Sequence, residues 1–291
     1  MTILWQLVIR NLKLYLRDRA AVFFSFLSVI IILAMYILFL GKMQVDNLSS
    51  AYDGIDGIDW LVATWIMAGI VTVSCVTVPL GALGKLIDDR ADNIINDFYT
   101  SPINRNTLAL SYLMSAWVIG FIMVMLNFVI GQVYVLSQGG EFLSLLQYAQ
   151  MLGLMMLIIM TFSIFFFYLS LFIRTQNAWG LLNTLIGTFI GFLGGIYIPI
   201  GVLGDNVATV MNLLPTAHAV TIVRQVYMAK AIDFVFDGVP IEHYNNYAQL
   251  YGVSITINGY EMQNWQMIVS LIVFMVIFYV LTILKLRNTK L

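Results

Sequence analysis

The sequence predicts an all-α integral membrane protein. It has six membrane-spanning helices, an amphipathic helix before them, and a dipping outer segment between the fifth and sixth spans. Composition is the first reason. The 291-residue chain is 61% hydrophobic and 10% charged, with mean hydropathy +0.91, whereas soluble domains are roughly 25% charged. The second is the spacing of charge. Apolar stretches free of Asp, Glu, Lys and Arg cover 20–41, 60–84, 106–140, 142–173, 175–204, 206–223 and 262–284. A span needs about 20 mostly apolar residues, and every stretch but 206–223 provides them. The third is the sidedness of charge. With six spans and both termini inside, Arg10, Lys13, Arg17, Arg19, Lys85, Arg90, Arg105, Arg174, Lys285, Arg287 and Lys290 lie inside, and Lys42, Arg224 and Lys230 outside. This is the basic excess expected of cytoplasmic segments. Were 206–223 a seventh span, the basic C-terminal cluster would fall outside.

The elements follow in order. Residues 1–19 form an interfacial helix, with Gln6, Arg10, Lys13 and Arg17 on a polar stripe toward anionic headgroups and Leu4, Val8, Leu12 and Tyr15 on an apolar one. The first span, 20–40, ends without a small-residue cleavage pattern, so a retained anchor is expected. An acidic outer loop, 41–59, leads to the second span at 60–84. The polar loop 85–105 follows, then spans at 107–136, 148–172, 179–200 and 265–285. The segment 201–226 dips or re-enters from the outer face, where irregular backbone must be covered by protein or line a cavity. The outer segment 227–264 carries a hairpin signal at Asn258-Gly259; it is either a small folded cap or a plain connector.

The loop 85–105, KLIDDRADNIINDFYTSPINR, carries the most information. Ile94, Ile95, Phe98 and Tyr99 recur at helical spacing, and Ser101-Pro102 ends the pattern. A short amphipathic helix results, with an apolar face suited to a partner's cleft or to the bilayer surface. Asp88, Asp89 and Asp92 are expected to complement the positive dipole end at its start. Small residues line up on two spans: Thr64, Ala68, Thr72, Cys75 and Pro79 on the second, and Gly180, Thr184, Gly187, Gly191 and Gly195 on the fifth. Such stripes make either ordinary helix packing or a conduit wall and subunit interface. Cys75 reads as a packing residue.

Catalytic patterns are missing. There is no HExxH, GxSxG or GxxxxGK[ST] motif, and His218 and His243 are far apart in sequence. His218 reads as a packing or capping residue. No metal-ligating set and no ionisable residue at mid-span depth appears, which argues against ion-coupled pumping. The chain is therefore not expected to be an enzyme or to hold a cofactor.

Asp89-Arg90, Pro102 and Arg105 resemble the coupling-loop pattern of ABC-2 type transporter permeases, with Ala91 and Asn93 departing from it. Gly194-Gly195-Ile-Tyr-Ile-Pro199, then Leu213-Leu-Pro215-Thr216 and Arg224, resembles that family's fifth-span exit and re-entrant outer hairpin, in which His218 falls, with Leu214 in place of the usual Asn. Arg17-Asp18 resembles the end of its elbow helix. The resemblance implies a type V exporter-like fold, with residues 20–291 as the transmembrane domain. It also implies a second permease subunit (identical or not) and two cytoplasmic ATPase subunits that bind ATP and Mg²⁺ and grip Asp89, Arg90, Ile94, Ile95, Phe98, Tyr99, Pro102 and Arg105. The implied role is export of a hydrophobic or amphipathic compound, such as a drug, lipid-like molecule or peptide toxin, across a bacterial-type plasma membrane. No nucleic-acid partner is implied. Two alternatives stay open: a teichoic-acid or polysaccharide permease, for which Phe165 to Tyr168 offer conduit aromatics if they do not face lipid, and a non-transporting sensor or immunity module.

Overall fold

The computed structural model describes residues 2–52, 55–257 and 259–288. Helix α1 (Ile3–Arg17) stops at Asp18, whose extended backbone turns the chain and whose carboxylate accepts the backbone N–H of Ala21, 3.0 Å away. Asp18 thereby supplies an orphan donor of the next helix with a partner. Leu7, Val8, Asn11 and Tyr15 of α1 face the bundle.

Helix α2 (Arg19–Met35) runs through a π-helical turn, Tyr36–Leu40, directly into α3 (Gly41–Ala51). The outer loop expected at 41–59 is thus helical over its first half. The wider π turn depends on Gly41, where a Cβ would lie 2.6 Å from the Tyr36 carbonyl oxygen. Such turns recur at functional sites.

Helix α4 (Ile58–Ala91) is the central pole, with 34 residues buried along almost its whole length. It extends seven residues past the predicted end at 84. The short helix α5 (Ile94–Thr100) follows, entered through Asn93 at φ +62°. Helix α6 (Arg105–Ser137) packs closely on α4: a Cβ on Gly120 would approach the Pro79 ring to 3.1 Å. In lipid, this backbone proximity and the dispersion it permits replace the hydrophobic drive available in water.

Helix α7 (Leu145–Ser170) opens on a capping box between Ser144 and Gln147. Helix α8 (Gln176–Leu193) is 18 residues long, about 27 Å. It ends at Gly194, short of the predicted end at 200. The chain then passes a 3-10 turn (Ile200–Val202), α9 (Asp205–Asn212) and α10 (Pro215–Tyr227). Among the described residues, five helices are long and apolar enough to cross a bilayer, and six if the bent pair at 206–227 is one broken span. Helix α8, with Gln176, Asn177 and Asn183, is not among the five, although the sequence predicts a span there.

The segment 227–264, expected outside, is folded. It contains α11 (Ala229–Val235), α12 (Ile241–Leu250) and a two-residue hairpin pairing Thr256 with Glu261 and Ile257 with Tyr260. The plain-connector alternative is overturned; Asn258, of the expected hairpin signal, lies outside the described residues. Helix α13 (Asn264–Asn288) completes the bundle against α7. Phe165 lies 4.7 Å from Phe278 and 5.4 Å from Phe274, and Tyr168 lies 5.4 Å from Phe278 (ring centroids). These aromatics join two helices of one chain.

Candidate functional site

The loop 85–105 folds differently from its sequence pattern in one respect that matters. Asp88 and Asp89 do not precede the short helix α5. They occupy the last turn of α4, the end where the helix dipole favours cations, and Asp97 is the acid in the first turn of α5. Asp89 is held there by partners. It is fully buried; the Arg10 guanidinium and the Tyr112 hydroxyl each donate to its Oδ2 at 2.6 Å, and the Lys85 ammonium lies 3.7 Å from its Oδ1. Burial alone lowers the pKa of Arg10, but the hydrogen bond and charge of Asp89 outweigh it, and the net shift is upward.

Arg90 turns the other way. Its guanidinium donates to the carbonyl oxygens of Ser170, 2.7 Å away, and of Ile173. It thereby satisfies carbonyls that the end of α7 leaves open. The Asp89-Arg90 pair therefore ties α1, α6 and α7 to α4 and is not exposed to grip a partner. Asp89 and Arg10 are 79 residues apart, and nothing in the local pattern around either one marks the other. Arg10 also corrects the interfacial reading of α1: it points into the bundle, while Lys13 and Arg17 stay exposed.

The apolar face of α5 is likewise turned inward. Ile95 is buried, and Phe98 packs against the core beneath Arg10, whose guanidinium carbon is 5.3 Å from the ring centroid. Ile94 is half-buried, and the side chain of Tyr99 lies outside the described residues. What α5 presents outward is Asn96, Asp97 and Thr100, extended by Pro102, Asn104 and Arg105. The sequence predicts an apolar plug for a partner's cleft; the structure shows a polar ledge resting on an apolar base.

At the other end, the dipping segment forms a braced hairpin. Helices α9 and α10 meet at 81°, with Pro215 at the first turn of α10, where its missing N–H costs nothing. Gly195 has φ +60°, and a Cβ there would come within 2.3 Å of Ile200. Pro199 is buried, and Gly194 lies against Val220 of α10. His218 is a capping residue: its Nε2 donates to the Asn212 carbonyl at 2.8 Å, and its Nδ1 meets the Ser270 hydroxyl of α13 at 2.5 Å.

Beneath the hairpin, Arg224 is buried with no carboxylate paired to it among the described residues. It donates to the Gly195 carbonyl at 2.8 Å, and its guanidinium carbon lies 4.7 Å from the Trp65 ring centroid. Trp65 in turn donates from Nε1 to the Tyr251 carbonyl at 2.8 Å, and the Tyr36 hydroxyl donates to the Ile196 carbonyl. Four elements (the π turn, α4, the hairpin and the outer cap) thus close on one aromatic cluster. Sequence reading noted Arg224 for its sidedness and as the end of the motif after Pro215; that it meets Trp65, over 150 positions away, nothing local announces.

The two small-residue stripes separate. Thr64 and Thr72 are buried within the subunit, and their hydroxyls donate to carbonyls of their own helix, Trp60 and Leu61 for Thr64 and Ala68 for Thr72. That stripe is internal packing. On α8, Gly191 is taken up by Tyr197, but Thr184 is exposed, and a Cβ on Gly180 or Gly187 would meet nothing within 4 Å. A cavity of about 310 Å³ lies beside this face, between α2, α4 and α8, with Thr77, Asn183 and Tyr197 set among Ile32, Val73 and Leu80.

No curated protein matches the chain. A family model does: that of the ABC-2 type transporter membrane region matches residues 2–228, from the first helix through the outer hairpin. The match covers well over half of the sequence. Together with the apolar helices it shows that the chain belongs to the ABC-2 type transporter family, as a multi-pass membrane permease of an ABC transporter.

Proposed function

We propose that this permease is the membrane subunit of an exporter, driven by ATPase subunits that engage the ledge formed by α5, and that it moves a hydrophobic or amphipathic compound out of the cell. Both termini and α5 lie on the cytoplasmic side of a bacterial-type plasma membrane, in keeping with the distribution of basic residues. Two ATPase copies bind ATP and Mg²⁺ and serve a pair of permeases. The observation that carries this reading is α5 itself. It is a separate short helix on an apolar base, linked through Phe98 and Arg10 to α1 and through Asp89 to α4 and α6. A push on its outward face has a path to the elbow and to the central pole. The roles of Asn96, Asp97, Thr100 and Pro102 as partner contacts belong to this proposal.

Asp97→Lys and Pro102→Ala are expected to lower ATPase co-purification about tenfold, the loss of one interface contact, without changing the melting temperature. Phe98→Ala removes the stack on Arg10. It is expected to leave the ATPase bound while reducing transport per ATP hydrolysed. Wild-type co-purification and wild-type efflux in all three variants would overturn the coupling role.

The cavity between α2, α4 and α8 supports the cargo class, because hydroxyl and amide groups among apolar side chains suit an amphipathic molecule better than a charged polymer. The open face of α8 supports pairing with a second permease. Thr184→Cys is expected to give a disulfide-linked dimer on mild oxidation in membranes, since the only native cysteine, Cys75, is buried. A chain that stays monomeric on denaturing gels under those conditions would remove α8 from the subunit interface.

A further inference from the structure

Helices α6 and α13 both pack against α7 and meet each other only marginally. The gap they leave is a crevice of about 320 Å³ at the end of the bundle that carries α5, within the size range of small-molecule sites. Its walls are mostly apolar, built from Leu110, Leu113, Ile164 and Phe167 with Tyr279 and Thr282 among them, and its mouth carries Asn106 and Arg287; the Thr282 hydroxyl is already satisfied by the Phe278 carbonyl of its own helix. None of the residues lining it is acidic. Leu110 is substantially exposed, so the crevice opens sideways toward the acyl chains of a bilayer and not only toward water. Arg287 is exposed and, among the described residues, has no ion-pair partner. Lys285, two residues before it, adds a second base nearby, its ammonium 4.6 Å from the Phe172 ring centroid.

We infer that this crevice is a binding site for an anionic phospholipid of the leaflet facing α5, with one acyl chain between α6 and α13 and the phosphate at Arg287 and Asn106. The chemistry selects the ligand on both counts. A mostly apolar slot open to the bilayer takes a chain at little desolvation cost, since the Thr282 hydroxyl is bonded within its own helix, and a guanidinium at its mouth offers paired donors to phosphate oxygens. Basic pockets between spans on the cytoplasmic side hold anionic headgroups for this reason. A zwitterionic headgroup places its own cation beside Arg287 and gains less. The inference is independent of the ATPase reading, because it concerns the permease alone.

The test uses the full chain, purified and delipidated in detergent, titrated with phosphatidylglycerol or with phosphatidylcholine of the same acyl chains, and read by native mass spectrometry. The wild-type chain is expected to hold phosphatidylglycerol about tenfold more tightly, the size of one charge-assisted hydrogen bond. Arg287→Gln is expected to abolish that preference while leaving weak binding of both lipids. Leu110→Trp, a surface substitution that fills the mouth, is expected to weaken both. Equal retention of the two lipids by the wild-type chain, or an unchanged preference in Arg287→Gln, overturns the site. Displacement of phosphatidylglycerol by millimolar inorganic phosphate would overturn the lipid in favour of a free anion.

Discussion

Arg10→Ala is expected to destabilise the permease by about 3–5 kcal/mol, the cost of leaving a buried charge without its partner. Asp89 is fully buried, and removal of Arg10 leaves it one short hydrogen bond, from Tyr112, and the more distant Lys85 ammonium. The reverse substitution is expected to cost less. Asp89→Ala leaves Arg10, whose side chain is 29% exposed, free to reach water; what it orphans is the Tyr112 hydroxyl, worth about 1–3 kcal/mol. The double variant is expected to be more stable than the sum of the single changes by about 1–3 kcal/mol, as residues sharing one network are. Thermal unfolding of detergent-purified chains measures all three. Equal melting temperatures for wild type and Arg10→Ala would show that the network contributes nothing. Arg10 also stacks on Phe98, so its loss is expected to weaken coupling from α5 even under conditions where the fold survives.

Trp65→Ala is expected to be comparably damaging at the outer end. The indole is buried, and its truncation opens a cavity costing about 3–5 kcal/mol. It also strips the Tyr251 carbonyl of its donor and leaves the Arg224 guanidinium without its aromatic face. Trp65→Phe keeps a ring for Arg224 and loses only the N–H, so about 1–3 kcal/mol is expected. If the cluster holds the outer hairpin shut, Trp65→Ala should also raise labelling of a cysteine placed at buried Thr221, whose hydroxyl donates to the Gly252 carbonyl across the same junction. Labelling no faster than in the Thr221→Cys chain with Trp65 intact would separate the cluster's stabilising role from any gating role.

The features legible in the sequence were those encoded locally. The short helix at 94–100 announced itself through Ile94, Ile95 and Phe98 at helical spacing and through the stop at Ser101-Pro102. The break at α9 and α10 was legible because a short, polar-interrupted apolar run conflicted with the sidedness of charge, and Pro215 then opened α10 as a first-turn proline does. Of the packing and capping readings open for His218, the structure bears out capping. The direction of the α5 face was not legible. An amphipathic pattern states that one face must be covered, and the same pattern serves a partner or the chain's own bundle. The acidic run 88–92 misled for a related reason: α4 continues seven residues beyond its apolar stretch, so Asp88 and Asp89 end one helix instead of beginning the next.

By itself the sequence determined the class of molecule, the position of the apolar spans to within a few residues (apart from the first, expected at 20–40 and found at Ile30–Ser50, and the short α8), and the family. These depend on hydropathy, charge and spacing, which act over one turn or one bilayer thickness. Only the tertiary structure decided which charges meet. Arg10 finds Asp89 across 79 residues, and Arg224 finds Trp65 across more than 150, because a bilayer-embedded bundle must neutralise or cover every charge it buries and takes the partner from whichever helix packs alongside.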